Sequence, residues 1–383
     1  MGFIGAGGFI TAHHLATALA SDLMEVRAIA DVSEAVRERW QGSPQVGYVT
    51  EDYRRLLEDP EIDIVVVGTK QDLHAKLIVE GLEAGKWVLC EKPMAENEEE
   101  AQAVLAAERR AKGRLAIGFN RRFAPSYRLA KTLMQQARRP WFVNYRMMNQ
   151  STHARDSFYS NEPRILYEGC HLLDLARWFF GTDPAEVYMT GDRLLNNCCI
   201  LSFADGSQFQ LMCGSVGATS FWKENMEVYG QDKTICVQDF VDMRVRGFPG
   251  EADRLYAPYR GEHAAEVLKY GFEFYELYQA NYRDDYVAPQ FRMDWEKLGV
   301  ANVMPKRAIE LPFDIRDYRR ENPDLKTFCP NKGWYESLEH FAQCFQEGTT
   351  PDNASGADGA KATELALALL ESLEKHRPVP FGK

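Results

Sequence analysis

No apolar run in this 383-residue chain approaches the roughly 20 residues that a helix needs to cross a bilayer, so a membrane-spanning helix is excluded. The N-terminus lacks a basic segment leading into an apolar one, so no secretory signal is visible and the cytoplasm is the expected location. There is no dense block of Lys and Arg either. With 45 basic against 56 acidic residues the net charge is -11, which repels phosphate backbones and makes nucleic acid an unsuitable partner. Close-spaced cysteines are missing too: of eight, only Cys198 and Cys199 adjoin, in a segment that reads as strand. Strand neighbours point to opposite faces, so the pair suits neither zinc nor a disulfide, and reduced thiols without a metal site are expected.

What is present divides in two, as the length suggests. From Gly2 to Asn120, apolar β-rich runs (Gly2–Gly5, Val26–Asp31, Ile62–Thr69, Trp87–Glu91, Leu115–Asn120) alternate with helical patterns at Phe9–Ala20, Ser33–Trp40, Leu73–Ala84 and Glu96–Lys112. Strands apolar throughout and separated by helices imply a parallel sheet covered on both faces. Residues 1–121 are therefore expected to form an α/β, doubly wound Rossmann domain. The first strand begins with almost no lead-in, which fits a chain that has lost upstream residues.

Residues 122–383 read as an α+β domain for substrate binding and oligomerisation. Helices are expected at Ala124–Ala137, His171–Phe180, Trp334–Glu347 and Ala357–His376. Strands are expected at Trp141–Met148, Glu186–Thr190, Cys198–Phe203, Gln208–Cys213, Glu224–Gly230, Thr234–Gln238 and Met243–Arg246, giving a largely antiparallel sheet with one face free for a site or a subunit interface. A stretch at about 250–330, rich in Tyr, Arg, Asp and Pro, has weak periodicity; its aromatic residues, from Tyr256 to Tyr286, suit a lid, a subsite wall or an interface.

The chemistry begins at Gly5-Ala6-Gly7-Gly8-Phe9-Ile10, a strand-to-helix turn where backbone can approach a pyrophosphate at the positive end of a helix. The third position of the G-x-G-x-x-G/A pattern is Ile10, which is expected to weaken helix–strand packing. Asp31 ends the second strand, placed for adenosine ribose hydroxyls and repelling a 2′-phosphate; with Val32 and Ser33 following, NAD is favoured over NADP. Asp31 is equally suited to cap the next helix. Cys90-Glu91-Lys92-Pro93 ends the fourth expected strand, so Lys92 falls at the cofactor cleft.

With these, the ordered motifs Gly118-Phe119-Asn120-Arg121-Arg122-Phe123 and Glu168-Gly169-Cys170-His171-Leu172-Leu173-Asp174 make the chain resemble the glucose-fructose oxidoreductase, inositol dehydrogenase and MocA family over residues 2–248 and 331–376. The resemblance implies that Lys92 and His171 act on a substrate hydroxyl. Many members have Asp where this chain has Tyr167, followed by Glu168, so these two are the candidates to replace that carboxylate. Gly68-Thr69-Lys70 departs from the usual Thr-Pro-Asn, while Thr69 and His74 match. Candidate cofactor contacts are thus Gly5, Gly7, Gly8, Phe9, Ile10, Asp31, Thr69, His74, Glu91, Lys92 and Asn120. Candidate substrate contacts are Arg122, Tyr145, His153, Arg155, Asp174, Trp222 and Lys223.

Oxidation of a secondary alcohol needs a proton acceptor while hydride leaves the same carbon. His171, with an ordinary pKa near ~6.5, suits the first task, and Lys92 suits the developing alkoxide. The expected function is NAD-dependent oxidation of a ring hydroxyl of a sugar, glycoside or cyclitol by a homo-oligomer, dimer or tetramer. Two alternatives stand: an NAD-retaining glycoside hydrolase working by oxidation, elimination, hydration and reduction, and a non-catalytic NAD(P) sensor.

Overall fold

A computed structural model describes residues 1–111, 114–148, 162–217, 221–256 and 330–382. Its first sheet is parallel, in the order β3-β2-β1-β4-β5-β6: β1 Gly2–Ile4, β2 Ala28–Ala30, β3 Tyr48–Thr50, β4 Ile64–Val67, β5 Trp87–Cys90 and β6 Leu115–Ile117. The order reverses beside β1, so the chain opens a crevice at the carboxyl ends of β1 and β4, where ligands of doubly wound sheets bind. The inner strands are buried on both faces, and the edge strand β3 is half-buried. On one side Ile4, Val65, Val67 and Val88 pack under the helices His74–Glu83 and Glu98–Ala111; on the other Phe3, Ile29 and Val66 meet Ile10, Leu15, Leu338 and Phe341. The helix Trp334–Glu347 therefore returns from the far end of the sequence to cover the first sheet.

The helix after β1 is not uniform. An α-helical turn Gly8–Ile10 runs into a π-helical stretch Thr11–Leu15 and then into Ala16–Ala20. Such widened turns occur mostly at functional positions.

The second sheet has nine strands in the order β14-β13-β12-β11-β7-β10-β9-β8-β15. They are β7 Phe142–Met148, β8 Glu186–Gly191, β9 Asn197–Ser202, β10 Gln208–Gly214, β11 Glu224–Gly230, β12 Lys233–Gln238, β13 Asp242–Arg246, β14 Arg254–Leu255 and β15 Val379–Pro380. All pairs are antiparallel except β7 with β10. Alternation is clean: Val143, Tyr145 and Met147, with Phe209 and Leu211, face a core closed by Pro125–Gln135, Cys170–Phe180 and Gly356–Lys375, whereas Phe142, Ile200, Met212 and Tyr229 are exposed. Cys198 is exposed and its neighbour Cys199 buried, as strand geometry requires.

Candidate active site

The glycine turn fits a dinucleotide. Gly5 adopts φ +83°, and a Cβ there would meet the Gly68 carbonyl at 2.7 Å, so only glycine closes this turn. Nothing lies within 4 Å of the Cβ positions of Gly7 and Gly8, leaving their backbone open at the start of the helix, where amides lack intrahelical partners. Ile10 does not loosen the packing: its side chain is buried against Gly68, where a Cβ would come within 2.1 Å of it. The close approach that the third glycine of the pattern allows is supplied here by Gly68. Ile10 thus supports the turn from beneath, whereas Phe9 is exposed, its ring 4.7 Å from that of His13 and 5.8 Å from that of Trp334.

The helix after β2, Glu34–Trp40, has Ser33 at its N-cap and is not capped by Asp31, which is held instead at the glycine turn. Asp31 Oδ2 accepts from the Ala6 amide and Oδ1 from Ser33, at 2.8 Å each, which fixes the carboxylate between the glycine turn and that helix. A fixed anion beside exposed Val32 is incompatible with a second phosphate. NAD at a hundredfold excess over its dissociation constant should stabilise the fold by about 2.7 kcal/mol, and NADP at the same concentration by much less. Melting shifts measure this, and a larger shift with NADP would remove the role given to Asp31.

His74 and Glu91 brace this end of the sheet. His74 Nδ1 donates to the Pro93 carbonyl at 2.7 Å and Nε2 lies 3.3 Å from the Thr69 carbonyl, so the buried imidazole ties the two loops together. Burial lowers its pKa. Glu91 turns inward, its Oε1 2.6 Å from His14 Nε2. Burial raises the Glu91 carboxyl, but His14 and Lys92 outweigh that and hold it below its ordinary range. Both residues thus face other protein groups, not the open cleft. Asn120 likewise donates to the Lys332 carbonyl at 2.7 Å and is buried.

Lys92, whose bond to Pro93 is cis, reaches across to the second half of the chain: its Nζ donates to the Tyr167 carbonyl at 2.9 Å. One helical turn further on stands His171, its ring edge-on to Phe119 at 5.9 Å. The side chain is buried and its Nδ1 has no hydrogen-bond partner among the described residues. Its pKa does not stay near the ordinary value: burial first, then Arg121 and Lys92, push it well below. The imidazole is neutral at pH 7 because its surroundings are dry and cationic. Glu168 lies 3.5 Å from Lys223 Nζ; burial raises its carboxyl, yet Lys223 and then Lys92 hold it well below the ordinary range. Tyr167 is buried, which raises its phenol.

Three expected substrate contacts are corrected. Tyr145 is fully buried, its hydroxyl donating to Glu224 at 2.7 Å and meeting the Tyr127 hydroxyl at 2.7 Å, because it shares the inward face of β7 with Val143 and Met147. Arg122 and Asp174 occupy each other: the guanidinium makes a two-pronged contact at 2.8 and 2.5 Å, with Asp358 also within 3.1 Å. Charge buried this deeply is kept paired, which leaves neither group for substrate. Trp222 stacks on Phe221 at 3.8 Å, with the Arg146 guanidinium over both rings. His153 and Arg155, like residues 257–286 of the expected lid, lie outside the described residues.

The structure adds Arg121, Glu224 and Lys332, none of which the sequence singles out for the site. Arg121 binds Glu224 through two 2.8 Å bonds and Lys332 Nζ reaches the same carboxylate at 2.6 Å, all buried. Arg121 stands in a quoted motif and Glu224 follows Lys223, but Lys332 is 108 residues from its partner and left no signal. His13 is added as well, stacked 4.0 Å from Trp334, with burial and His14 lowering its pKa to about 4.

A doubly wound sheet with an open glycine turn, joined to a large open-faced sheet whose first helices carry the polar groups, defines the dinucleotide-dependent oxidoreductase class. Family models make this specific. Residues 1–119 match the oxidoreductase family with NAD-binding Rossmann fold, and residues 136–236 match the GFO/IDH/MocA C-terminal domain. The chain belongs to this family, and NAD is the cofactor of its first domain. It is 32% identical over 197 residues to the uncharacterized oxidoreductase YrbE of Bacillus subtilis, covering 51% of this chain and 58% of that one. It is 27% identical to an inositol 2-dehydrogenase/D-chiro-inositol 3-dehydrogenase of Lactiplantibacillus plantarum, covering 49% and 52%. The chain thus spans little more than half the length of these relatives. A probable dehydrogenase from Thermotoga maritima shares the fold at a TM-score of 0.71 and 21% identity, covering 99% of this chain and 98% of that one. Scyllo-inositol dehydrogenase from Lactobacillus casei, solved with NAD(H) and scyllo-inositol, does so at 0.69 and 18%, covering 99% and 98%.

Proposed function

We propose that this protein oxidises a secondary ring hydroxyl of a sugar, glycoside or cyclitol, with NAD as hydride acceptor. The observation that carries the reading is the convergence of Lys92, from the carboxyl end of β5, on the carbonyl of Tyr167 one turn before His171. Family membership and inositol dehydrogenases among the relatives support it.

NAD supplies the hydride acceptor when bound. His171, kept neutral by its surroundings, takes the hydroxyl proton at a ring nitrogen. Lys92 donates to the oxygen as negative charge develops there, at a site where little water screens it. Glu168, ionised and tied to Lys223, offsets part of the positive charge of Lys92. The raised Tyr167 phenol stays protonated, so it is no ready base for the elimination step of redox-assisted glycoside cleavage. The test is a panel of sugars, cyclitols and aryl glycosides followed by NADH absorbance and product analysis. NADH and ketone in equal amounts are expected; aglycone release over many turnovers without net NADH would replace this reading.

We further propose that the protein works as a homo-oligomer through the open face of the nine-stranded sheet. Phe142, Ile200, Met212 and Tyr229 are 46, 37, 42 and 45% exposed there, which is unusual for a sheet face left in water. Light scattering is expected to give a dimer or tetramer at micromolar concentration, and a monomer would reject the interface. The described cysteines are all free, which supports a cytoplasmic setting.

A further inference from the structure

The helix that starts at the glycine turn sends two neighbouring histidines in different directions. Its π-helical stretch, Thr11–Leu15, is tied back to the turn by Thr11, whose amide donates to the Gly7 carbonyl at 2.9 Å and whose hydroxyl donates to the Ala6 carbonyl at 2.8 Å. His13 stacks on Trp334, whereas buried His14 turns to Glu91, with Nε2 2.6 Å from Oε1. Glu91 is ionised, and an ionised carboxylate only accepts, so Nε2 carries the hydrogen. The other oxygen, Oε2, accepts from the amide of Lys92 at 3.3 Å. Space for this carboxyl is built in: a Cβ on Gly118, just after β6, would lie 3.0 Å from both Cδ and Oε1 of Glu91.

Holding this helix to the sheet does not require such a pair. Ile10 and Leu15 do so already with apolar side chains, and a buried ionic contact seldom stabilises more than the hydrophobic packing that could replace it. What the pair adds is direction. It fixes the residue that precedes Lys92 in the chain, and it does so from the helix that begins at the dinucleotide turn.

We propose that His14 is a positioning residue, acting through Glu91 to set the place of Lys92 in the cleft. This rests on the dehydrogenase reading above, in which Lys92 meets the substrate oxygen. The Lys92 side chain spans from the end of β5 to the Tyr167 carbonyl, so a small swing of its backbone carries the ammonium away from its target. A displacement of about 1 Å at a reacting centre can cost roughly 10²-fold in rate. His14 acts at one remove, so its loss is expected to cost less than that of Lys92 itself.

The experiment compares His14→Leu, His14→Asn, His14→Gln, Glu91→Gln and the double variant His14→Leu/Glu91→Gln. NADH formation is followed with myo-inositol and D-glucose, and lysine acetylation by acetic anhydride is followed peptide by peptide, with buried Lys86 and exposed Lys375 as references. His14→Leu should lower kcat roughly tenfold while KM and NAD affinity change less than about twofold. His14→Asn, whose amide is too short to reach Glu91, should behave like it and is the second variant if Leu does not fold. His14→Gln places a donor where Nε2 stands and should recover most of the loss. The double variant should lose no more than Glu91→Gln alone, because the two residues act as one unit. Lys92 should be acetylated roughly threefold faster or more in His14→Leu, with Lys86 and Lys375 unchanged, since its local hold alone is released. Wild-type kcat in His14→Leu, losses that add in the double variant, no recovery with Gln, or equal acceleration at Lys86 overturns the proposal. Lys92 labelling that responds to His14 while neither probe yields NADH keeps the positioning and counts against the dehydrogenase; NADH formed at a rate indifferent to His14 does the reverse.

Discussion

Replacing Lys92 with Ala is expected to lower turnover by roughly 10²-fold or more while NAD affinity changes less than about twofold. The ammonium reaches from β5 to the Tyr167 carbonyl at the end of the short helix Arg164–Tyr167, just before the helix that carries His171, so its loss removes a donor aimed at the substrate oxygen without touching the glycine turn or Asp31. His171→Ala should give a loss of similar size. Because that side chain is buried, its melting temperature must be recorded with its rate, and His171→Gln serves as the second, shape-conserving variant. The pH dependence follows from the sign of the shift. A neutral imidazole is the proton acceptor, and burial, Arg121 and Lys92 keep His171 neutral well below its ordinary pKa. As pH falls through 6.5, kcat should therefore hold, and its acid limb should appear at lower pH, fading in the His171→Gln enzyme. Wild-type turnover in Lys92→Ala would end the assignment of this cleft.

The second large effect is on stability. Glu224 is 0% exposed and is the shared partner of Arg121, Lys332 and the Tyr145 hydroxyl. Glu224→Ala strands two cations in a dry interior, and breaking a buried pair in this way costs about 3–5 kcal/mol. A fall in melting temperature of roughly 4–6 °C is expected. Glu224→Gln, which keeps the shape and some hydrogen bonds, should fall between. The groups are joined across the chain, from the turn after β6 to the start of β11 and the loop before Trp334–Glu347, so the loss should also loosen the packing of that last helix. A Glu224→Ala protein that melts with wild type would show that the charges reach water.

These two predictions rest on different kinds of legibility. Lys92 and His171 could be found in the sequence because each stands in a short motif, Glu91-Lys92-Pro93 and Glu168 to Asp174, through which the chain resembles a known family; the resemblance, and not periodicity, implied their roles. The parallel strands were equally plain, since burial on both faces leaves uninterrupted apolar runs such as Ile64–Val67. β3, Tyr48–Thr50, was missed because an edge strand of three half-buried residues carries no such run. Tyr145 could have been placed correctly: with Val143 and Met147 it repeats at period two, which assigns it to the core.

By itself, then, the sequence determined the class of fold, the dinucleotide turn with Asp31, and the two residues proposed for proton transfer, because each depends on neighbours within a few positions. Only the tertiary structure decided which charges are partners. Arg122 with Asp174, Arg121 with Glu224, and Lys332 with Glu224 lie 52, 103 and 108 residues apart. Pairing at such distances is set by how two sheets and their helices pack, and the same packing dries the site enough to turn His171 from a group titrating near neutrality into one that is neutral there.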